Sequence, residues 1–151
     1  MIMYQDTITI FNRKHGNELT GDTWYPTVIK GVNLNIDRAA ILAKYGPETN
    51  DTAMLSVRFK PDGGEALIDC GDGSQKPWMP PKRWDGTVDS LTFDPAGDFF
   101  WKGEWTGGIV SDSQYKADGF FGYMNRTQDY VYKVSGVAMY SVIPHFEIMG
   151  R

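Results

Sequence analysis

The sequence lacks several features that define large classes of proteins. It contains a single cysteine, Cys70, which excludes an intramolecular disulfide and fits a reducing compartment. It has no run of about 18 apolar residues, the length a membrane-spanning helix requires. Its first residues lack the basic and apolar segments of a signal peptide. We therefore expect a soluble protein that is not exported and does not contact a membrane.

The sequence also lacks an excess of basic residues. Its formal net charge is -4 at pH 7, whereas sequence-independent binding to DNA requires a basic face that displaces counterions from the phosphates. An acidic domain can still lie beside DNA and repel it. A sequence-independent grip on DNA is therefore not expected.

Motifs that carry catalysis or bind metals are not recognisable. There is no Gly-x-Ser-x-Gly elbow and no phosphate loop, because residues 71–73 do not open a helix. His15 lies in a polar turn without a metal-binding partner at suitable spacing. Asp69 and Asp72 lack the alternating ligands and closing Glu of a calcium loop. We predict no enzyme activity, no cofactor and no metal site, although sequence alone cannot locate a pair of carboxylates of the glycosidase kind.

What the sequence does contain is typical of a β-rich domain with many turns. Aromatic residues make up 14%, with 17 glycines and 8 prolines. A chain of 151 residues makes one domain with a core of its own. We predict a mainly β single domain over residues 1–151, a small β-barrel or sandwich. The strand-like segments are 6–12, 24–36, 53–59, 65–70, 88–94, 99–105, 129–137 and 140–150.

One short helix is predicted after the second strand. At Asp37, a good N-cap, the strand pattern of residues 24–36 gives way to helix formers over residues 38–45, which Gly46 and Pro47 end. Residues 119–125 indicate at most one weak helical turn, because two glycines lie within them. In the last strand, Pro144 indicates an edge or bulged position.

The segment at residues 76–84 has the most unusual composition. Three prolines hold it extended and rule out a central strand. Trp78 and Trp84 either fold back over the barrel, the interpretation we favour, or anchor a partner. As interface candidates, they belong to an element at residues 61–84 whose glycines and prolines disfavour regular structure.

The tryptophans also admit a different class of function. Trp78, Trp84, Trp101 and Trp105 interleave with carboxylates such as Glu104, as in a carbohydrate-binding β module that stacks sugar rings on indoles. This alternative predicts coplanar, exposed tryptophans on one face. Tryptophans dispersed through the core would argue against it.

Three segments carry a resemblance to known proteins: DTITIFNR, TWYPTVIKGVNLNIDRAAILAKYG and YSVIPHFEIMG. They resemble segments of prophage structural proteins from Gram-positive hosts. The order of the signals, with LSVRF and FWKGEW between them, resembles the small head-tail joining proteins of long-tailed bacteriophages, the stopper or head-closure family.

The resemblance implies a β-barrel subunit of a ring between the portal-adaptor complex and the tail. It implies contacts with itself, with portal, adaptor and tail proteins, and with DNA that passes through the channel without specific binding. The protein would be part of the virion, assembled in the bacterial cytoplasm. Asp37, Glu48 and Asp51 match the loop that points into the channel of such rings. A tail terminator or tail-tube component is the alternative within this class.

Overall fold

The computed structural model describes residues 4–19, 21–36, 53–115 and 117–151. Within these ranges the chain is mainly β, as predicted. The strands are β1 (Asp6–Lys14), β2 (Thr23–Asn35), β3 (Ala53–Asp62), β4 (Glu65–Asp69), β5 (Gln75–Trp78), β6 (Phe99–Trp101), β7 (Val110–Ser111), β8 (Val131–Tyr140) and β9 (His145–Gly150). A 3₁₀ turn (Asp112–Gln114) and one helix, α1 (Gly119–Thr127), complete the described elements.

Six strands close into an antiparallel barrel in the order β1-β2-β3-β9-β8-β6, with β6 returning to β1. The predicted barrel is therefore confirmed. β4 and β5 extend the sheet outward from β3, and β7 pairs with the start of β2. Closure removes most of the exposed strand edges that an open sheet of this size would present.

β1 is buried on both of its faces, which is unusual for a strand of a small barrel. Ile8 and Ile10 point into the barrel core, while Thr9 and Phe11 on the opposite face are also 0% exposed. The Thr9 hydroxyl donates to the Gly103 carbonyl at 2.8 Å and accepts from the Trp105 amide at 3.0 Å. The loop after β6 thus covers the outer face of β1.

A second hydrophobic cluster lies outside the barrel, between β1, β6 and α1. It comprises Phe11, Trp24, Phe99, Val110, Phe120 and Met124. Phe120 and Met124 lie one turn apart on α1 and are both buried, so they share the face that packs on the barrel. The packing of this face stabilises a helix whose two glycines give it poor intrinsic propensity.

The predicted helix at residues 38–45 lies outside the described residues. The described helix is α1, which extends the weak helical turn expected at residues 119–125 to a full Gly119–Thr127. None of the helical segments in the described ranges is long and apolar enough to cross a membrane.

The strand predicted at residues 88–94 is wrong. Leu91 makes a single parallel bridge with Trp78, and the backbone of the next residue bonds to a side chain in place of a strand. The Asn12 side chain donates to the Thr92 carbonyl at 2.6 Å and accepts from its amide at 3.4 Å. The alternating sequence pattern does not correspond to alternating burial, because Leu91, Thr92 and Phe93 are all buried.

The prediction that Pro144 marks an edge or bulged strand is also wrong. Residues 141–144 form the turn between β8 and β9, and β9 lies between β3 and β8. Likewise, residues 61–84 are more regular than expected, because they include the end of β3 and all of β4 and β5. In both cases proline or glycine occupies a turn or strand end and does not disrupt the sheet beside it.

Phe146 is the aromatic centre of the barrel core, and its truncation tests the packing described here. It is 0% exposed and contacts the rings of Phe59, Trp78 and Phe93 at centroid distances of 5.0, 4.9 and 5.2 Å. We expect Phe146→Ala to lower the free energy of unfolding by about 3–5 kcal/mol. Leu19→Ala, at a side chain that is 92% exposed, should change it by less than about 0.5 kcal/mol in the same urea titrations. A similar effect of the two substitutions would contradict this description of the core.

Candidate interaction surface

The hairpin of β8 and β9 carries the largest exposed apolar side chains that lie together in the described structure. Val142 and Ile143 in its turn are 97% and 74% exposed, and Met139 and Tyr140 at the end of β8 are 52% and 46% exposed. Soluble monomers rarely expose a contiguous apolar patch of this kind without a function for it. We call these four residues the hairpin tip.

The part of the hairpin around its turn also lacks charged side chains. Residues 134–146 are the longest stretch of the chain without Asp, Glu, Lys or Arg. The Tyr140 ring stacks on His145 with the centroids 4.9 Å apart, which holds the two strands together at the base of the turn. Sequence reasoning missed this surface by assigning residues 140–150 to strand, although the charge-free stretch was visible.

Asp98 bonds to β8 at Val134, the residue after the last one that pairs with β6. Its backbone carbonyl accepts from the Val134 amide at 3.0 Å. Its carboxylate accepts from the Asn12 side chain at 2.8 Å, the Arg13 amide at 2.8 Å and the Asp94 amide at 3.0 Å. One residue thus connects β1, the turn at residues 94–98 and β8.

Burial makes Asp98 a titrating group near neutral pH. The residue is 2% exposed, and desolvation raises the pKa of its carboxyl to about 7 against the opposing effect of the three N–H donors. The negative charge of nearby Asp94 acts in the same direction as burial.

The stability of the protein should therefore depend on pH through Asp98. Because the pKa is higher in the folded state, this contribution is greatest below about pH 4 and is lost as the pH rises to about 7. We expect the free energy of unfolding to fall by about 2–3 kcal/mol between pH 5 and pH 8. In Asp98→Asn this part of the dependence should disappear, although the variant is less stable throughout because an amide cannot accept from all three donors.

Urea titrations at the two pH values measure this difference. Asp89→Asn, at an exposed carboxylate, is the control and should keep the slope of the parent protein. An unchanged slope in Asp98→Asn would show that Asp98 does not titrate in this range.

Three other carboxylates, those of Asp22, Asp112 and Asp118, line the same polar cleft as Asp98, and Asp112 anchors α1. Asp112 accepts from the Trp24 indole at 2.7 Å and from the Phe120 amide at 2.9 Å. This places a negative charge at the start of α1, where the helix dipole favours it. Asp22 contacts Arg13 at 3.7 Å. In the described part of the chain no group of three or more His, Cys, Asp or Glu side chains is arranged to hold a metal ion.

The interface candidates Trp78 and Trp84 both contact the body of the domain. Trp78 packs on Phe146 and against the barrel core. Trp84 contacts the Tyr25 ring edge-on at 5.7 Å and donates to the Ser90 carbonyl at 3.3 Å. These contacts match the favoured interpretation, in which the segment folds back over the barrel.

The tryptophans do not lie together on one exposed face. Trp78 packs against the barrel core, whereas Trp101 and Trp105 pack against the cluster under α1. The Trp105 amide and indole also bond to Thr9 and to the Gly108 carbonyl. Sugar stacking was predicted to require a coplanar exposed set, and these positions belong to two separate clusters.

A groove of about 400 Å³ lies where β2 and β4 successively take the same edge of β3. Lys30, Arg58 and Lys60 are exposed along it, with Asp69 at its end. Lys30 pairs with Glu104 at 3.1 Å, and Arg58 lies over the Tyr4 ring at 4.4 Å. Two of the three cations therefore already have partners within the chain.

The channel candidates Asp37, Glu48 and Asp51 lie outside the described residues. The flanking positions are described: Asn35 pairs with Met54 where β2 meets β3. The segment that contains these carboxylates thus connects two neighbouring strands of the barrel.

Fold and surface together define a closed β-barrel domain with an exposed, uncharged hairpin tip. The chain belongs to the family of unknown function DUF6751, whose model matches residues 3–151. No curated protein and no solved structure matches it.

Truncation of Trp78 separates a role in folding from a role in assembly. In the described part of the chain the buried indole N–H of Trp78 has no acceptor. We therefore expect Trp78→Phe to keep most of the stability, because it retains the aromatic contact and removes an unpaired donor. Trp78→Ala should lower the melting temperature of the monomer by several degrees, for a loss of about 2–4 kcal/mol. A stable monomeric Trp78→Ala variant that fails to assemble would instead assign Trp78 to an interface.

Proposed function

We propose that this protein is a structural subunit of a bacteriophage virion, a head-tail connector of the head-closure or stopper kind. It forms a ring between the portal-adaptor complex and the tail. The observation that carries the proposal is the hairpin of β8 and β9, which presents an uncharged, apolar tip to solvent. The buried core of an interface between subunits is depleted in charged residues, and the hairpin tip has this composition. The resemblance of the three segments named above supplies the kind of assembly.

The described side chains favour a structural role over a chemical one. The buried or partly buried carboxylates of the polar cleft, Asp98 and Asp112, are engaged as acceptors that hold strands and α1 in place. A connector has no bond to make or break. Its function comes from many weak contacts repeated by symmetry around a channel.

The barrel separates two regions that such a subunit would use differently. The Pro144 carbonyl accepts from the Phe59 amide at 3.3 Å, so the turn of the hairpin lies beside the later part of β3. Ala53, at the start of β3, pairs with Gly150. The segment that contains Asp37, Glu48 and Asp51 precedes Ala53 in the chain. Ala53 and the hairpin turn therefore lie near opposite ends of β3. In the proposed ring the hairpin tip contacts neighbouring subunits, and the channel role is assigned to the segment that connects β2 and β3.

The location of the chain in phage particles tests the proposal. Particles produced in a host that supplies a tagged copy should carry the tag at the head-tail junction, in several copies per particle. Tailless heads should retain it. A tag found only on free tails would favour the tail terminator or tail-tube alternative, and particles without the chain would overturn the virion assignment.

The channel role of the acidic segment gives a separate prediction. A like-charged wall repels DNA over about 10 Å at ordinary salt, so only side chains near the axis act on it. Glu48→Gln with Asp51→Asn should leave ring assembly unchanged and alter the retention or ejection of DNA, as measured by nuclease protection of filled particles. The matched control is Asp62→Asn with Glu65→Gln. These two exposed carboxylates lie where β3 ends and where β4 begins. Normal retention and release in the Glu48 and Asp51 variant would contradict the channel assignment.

A further inference from the structure

One edge of β8 is unpaired over residues 136–140 in the described structure. β9 takes the other edge, from Gly136 opposite Met149 to Tyr140 opposite His145. On the first edge β6 pairs only as far as Lys133. Beyond the bond from Val134 to the Asp98 carbonyl, no strand of the described ranges pairs there. Within the described ranges, the backbone donors and acceptors on that edge therefore have no strand partner.

This edge lacks the devices that normally protect an unpaired strand. Edge strands are usually guarded by lysine, other charges, proline or a bulge. Residues 136–140 are Gly-Val-Ala-Met-Tyr, with neither a charge nor a proline. In the described structure the protection on this edge is the irregularity between Val134 and Gly136. It lies where the unpaired edge begins. Such an edge is suited to the addition of a strand.

The charge distribution makes this edge the place where a second copy of the chain can bind with the least repulsion. Each copy carries a net charge of -4, so most contacts between copies set carboxylates against each other. The β8 edge and the hairpin tip lie within residues 134–146, the longest stretch without a charged side chain. A contact here avoids that repulsion.

The hairpin tip contributes a substantial part of the area that an interface between copies needs. From their fractional exposure, Met139, Tyr140, Val142 and Ile143 together present roughly 400–500 Å² of accessible surface, the size of patches that are often functional. A standard interface buries about 800 Å² on each partner. The tip supplies about half of this, and the backbone edge adjoining it adds more.

We infer that the free edge of β8 pairs with a strand of a second copy, so that the sheet of one barrel continues into the next. This rests on the proposed function only in requiring that copies assemble. Continuous hydrogen bonding across the contact fixes the relative orientation of neighbouring subunits, which apolar side chains alone would leave loosely defined.

A lysine at Ala138 tests the inference with little risk to the fold. Ala138 is exposed and lies opposite Glu147 of β9, so Ala138→Lys places a cation beside a carboxylate within the monomer. The same lysine guards the free edge against an added strand. Ala138→Ser is the matched control, small and uncharged. A second variant, Val142→Ser with Ile143→Ser, removes the apolar side chains of the turn, which are 97% and 74% exposed in the monomer.

Sedimentation velocity over a concentration series up to about 100 µM measures association, a range that covers weak micromolar contacts. The parent protein and Ala138→Ser should associate. Ala138→Lys and the tip variant should dissociate at concentrations at least about 10-fold higher, with circular dichroism unchanged. A monomeric parent protein, or association unaffected by Ala138→Lys, would overturn the inference.

The same experiment separates this inference from the proposed function. A dimer that grows no further would support strand pairing through β8 and contradict the ring. A ring that forms equally well with Ala138→Lys would support the connector and overturn pairing through β8. Failure to find the chain in phage particles would leave the sedimentation result unaffected.

Discussion

The hydrogen bonds of Asp98 are the constraint on which the rest of the structure depends. A carboxylate with almost no exposure holds the side chain of Asn12, the amide of Arg13 and the amide of Asp94. It thereby fixes the turn before β6 against the end of β1. The Asp98 carbonyl accepts from the Val134 amide. The turn at residues 94–98 directs the chain before Asp98 away from β8. In the described structure, the edge of β8 beyond Val134 therefore has no strand beside it.

The molecule has two hydrophobic clusters because β1 and β6 are buried on both faces. Successive side chains of a strand point to opposite faces, so Phe100 of β6 closes the barrel core while Phe99 faces outward. The outward face of β1 and β6 is then covered by α1 and by the loop that carries Trp105. Phe11 stacks on Phe99 at 4.8 Å and meets Phe120 edge-on at 5.0 Å. These aromatic contacts stabilise the packing of α1 and of the loop after β6 on the outer face of the barrel.

The sequence predicts a strand or helix correctly where that element depends on a local pattern of residues, and it fails where the element depends on distant contacts. The alternation in β1 and β2 and the run in β3 were predicted because burial on a sheet face repeats every second residue. Residues 88–94 show the same alternation, but the backbone of Thr92 bonds to the distant Asn12 side chain, which no local pattern reveals. α1 was underestimated because its stability comes from Phe120 and Met124 packing on the barrel, not from its own propensity.

The candidate interaction surface was likewise only partly predictable from the sequence. Trp78 and Trp84 stood out by composition, yet both contact the domain itself. The hairpin tip needed no special residue type, only aliphatic side chains in a turn, and Pro144 was interpreted as part of a strand when it ends that turn. Asp98 has no sequence signature at all, because its role arises from three donors that come from β1 and from its own turn.

The central claim is that this barrel assembles through the charge-free edge of β8. Hydrogen–deuterium exchange at low and high protein concentration measures it directly, because amides on a free edge exchange quickly until another strand accepts them. Slower exchange at high concentration in the peptide covering residues 136–140, with no change in β1, is the result this account predicts. Exchange in that peptide that is independent of concentration, while the protein associates, would place the contact elsewhere and contradict the account.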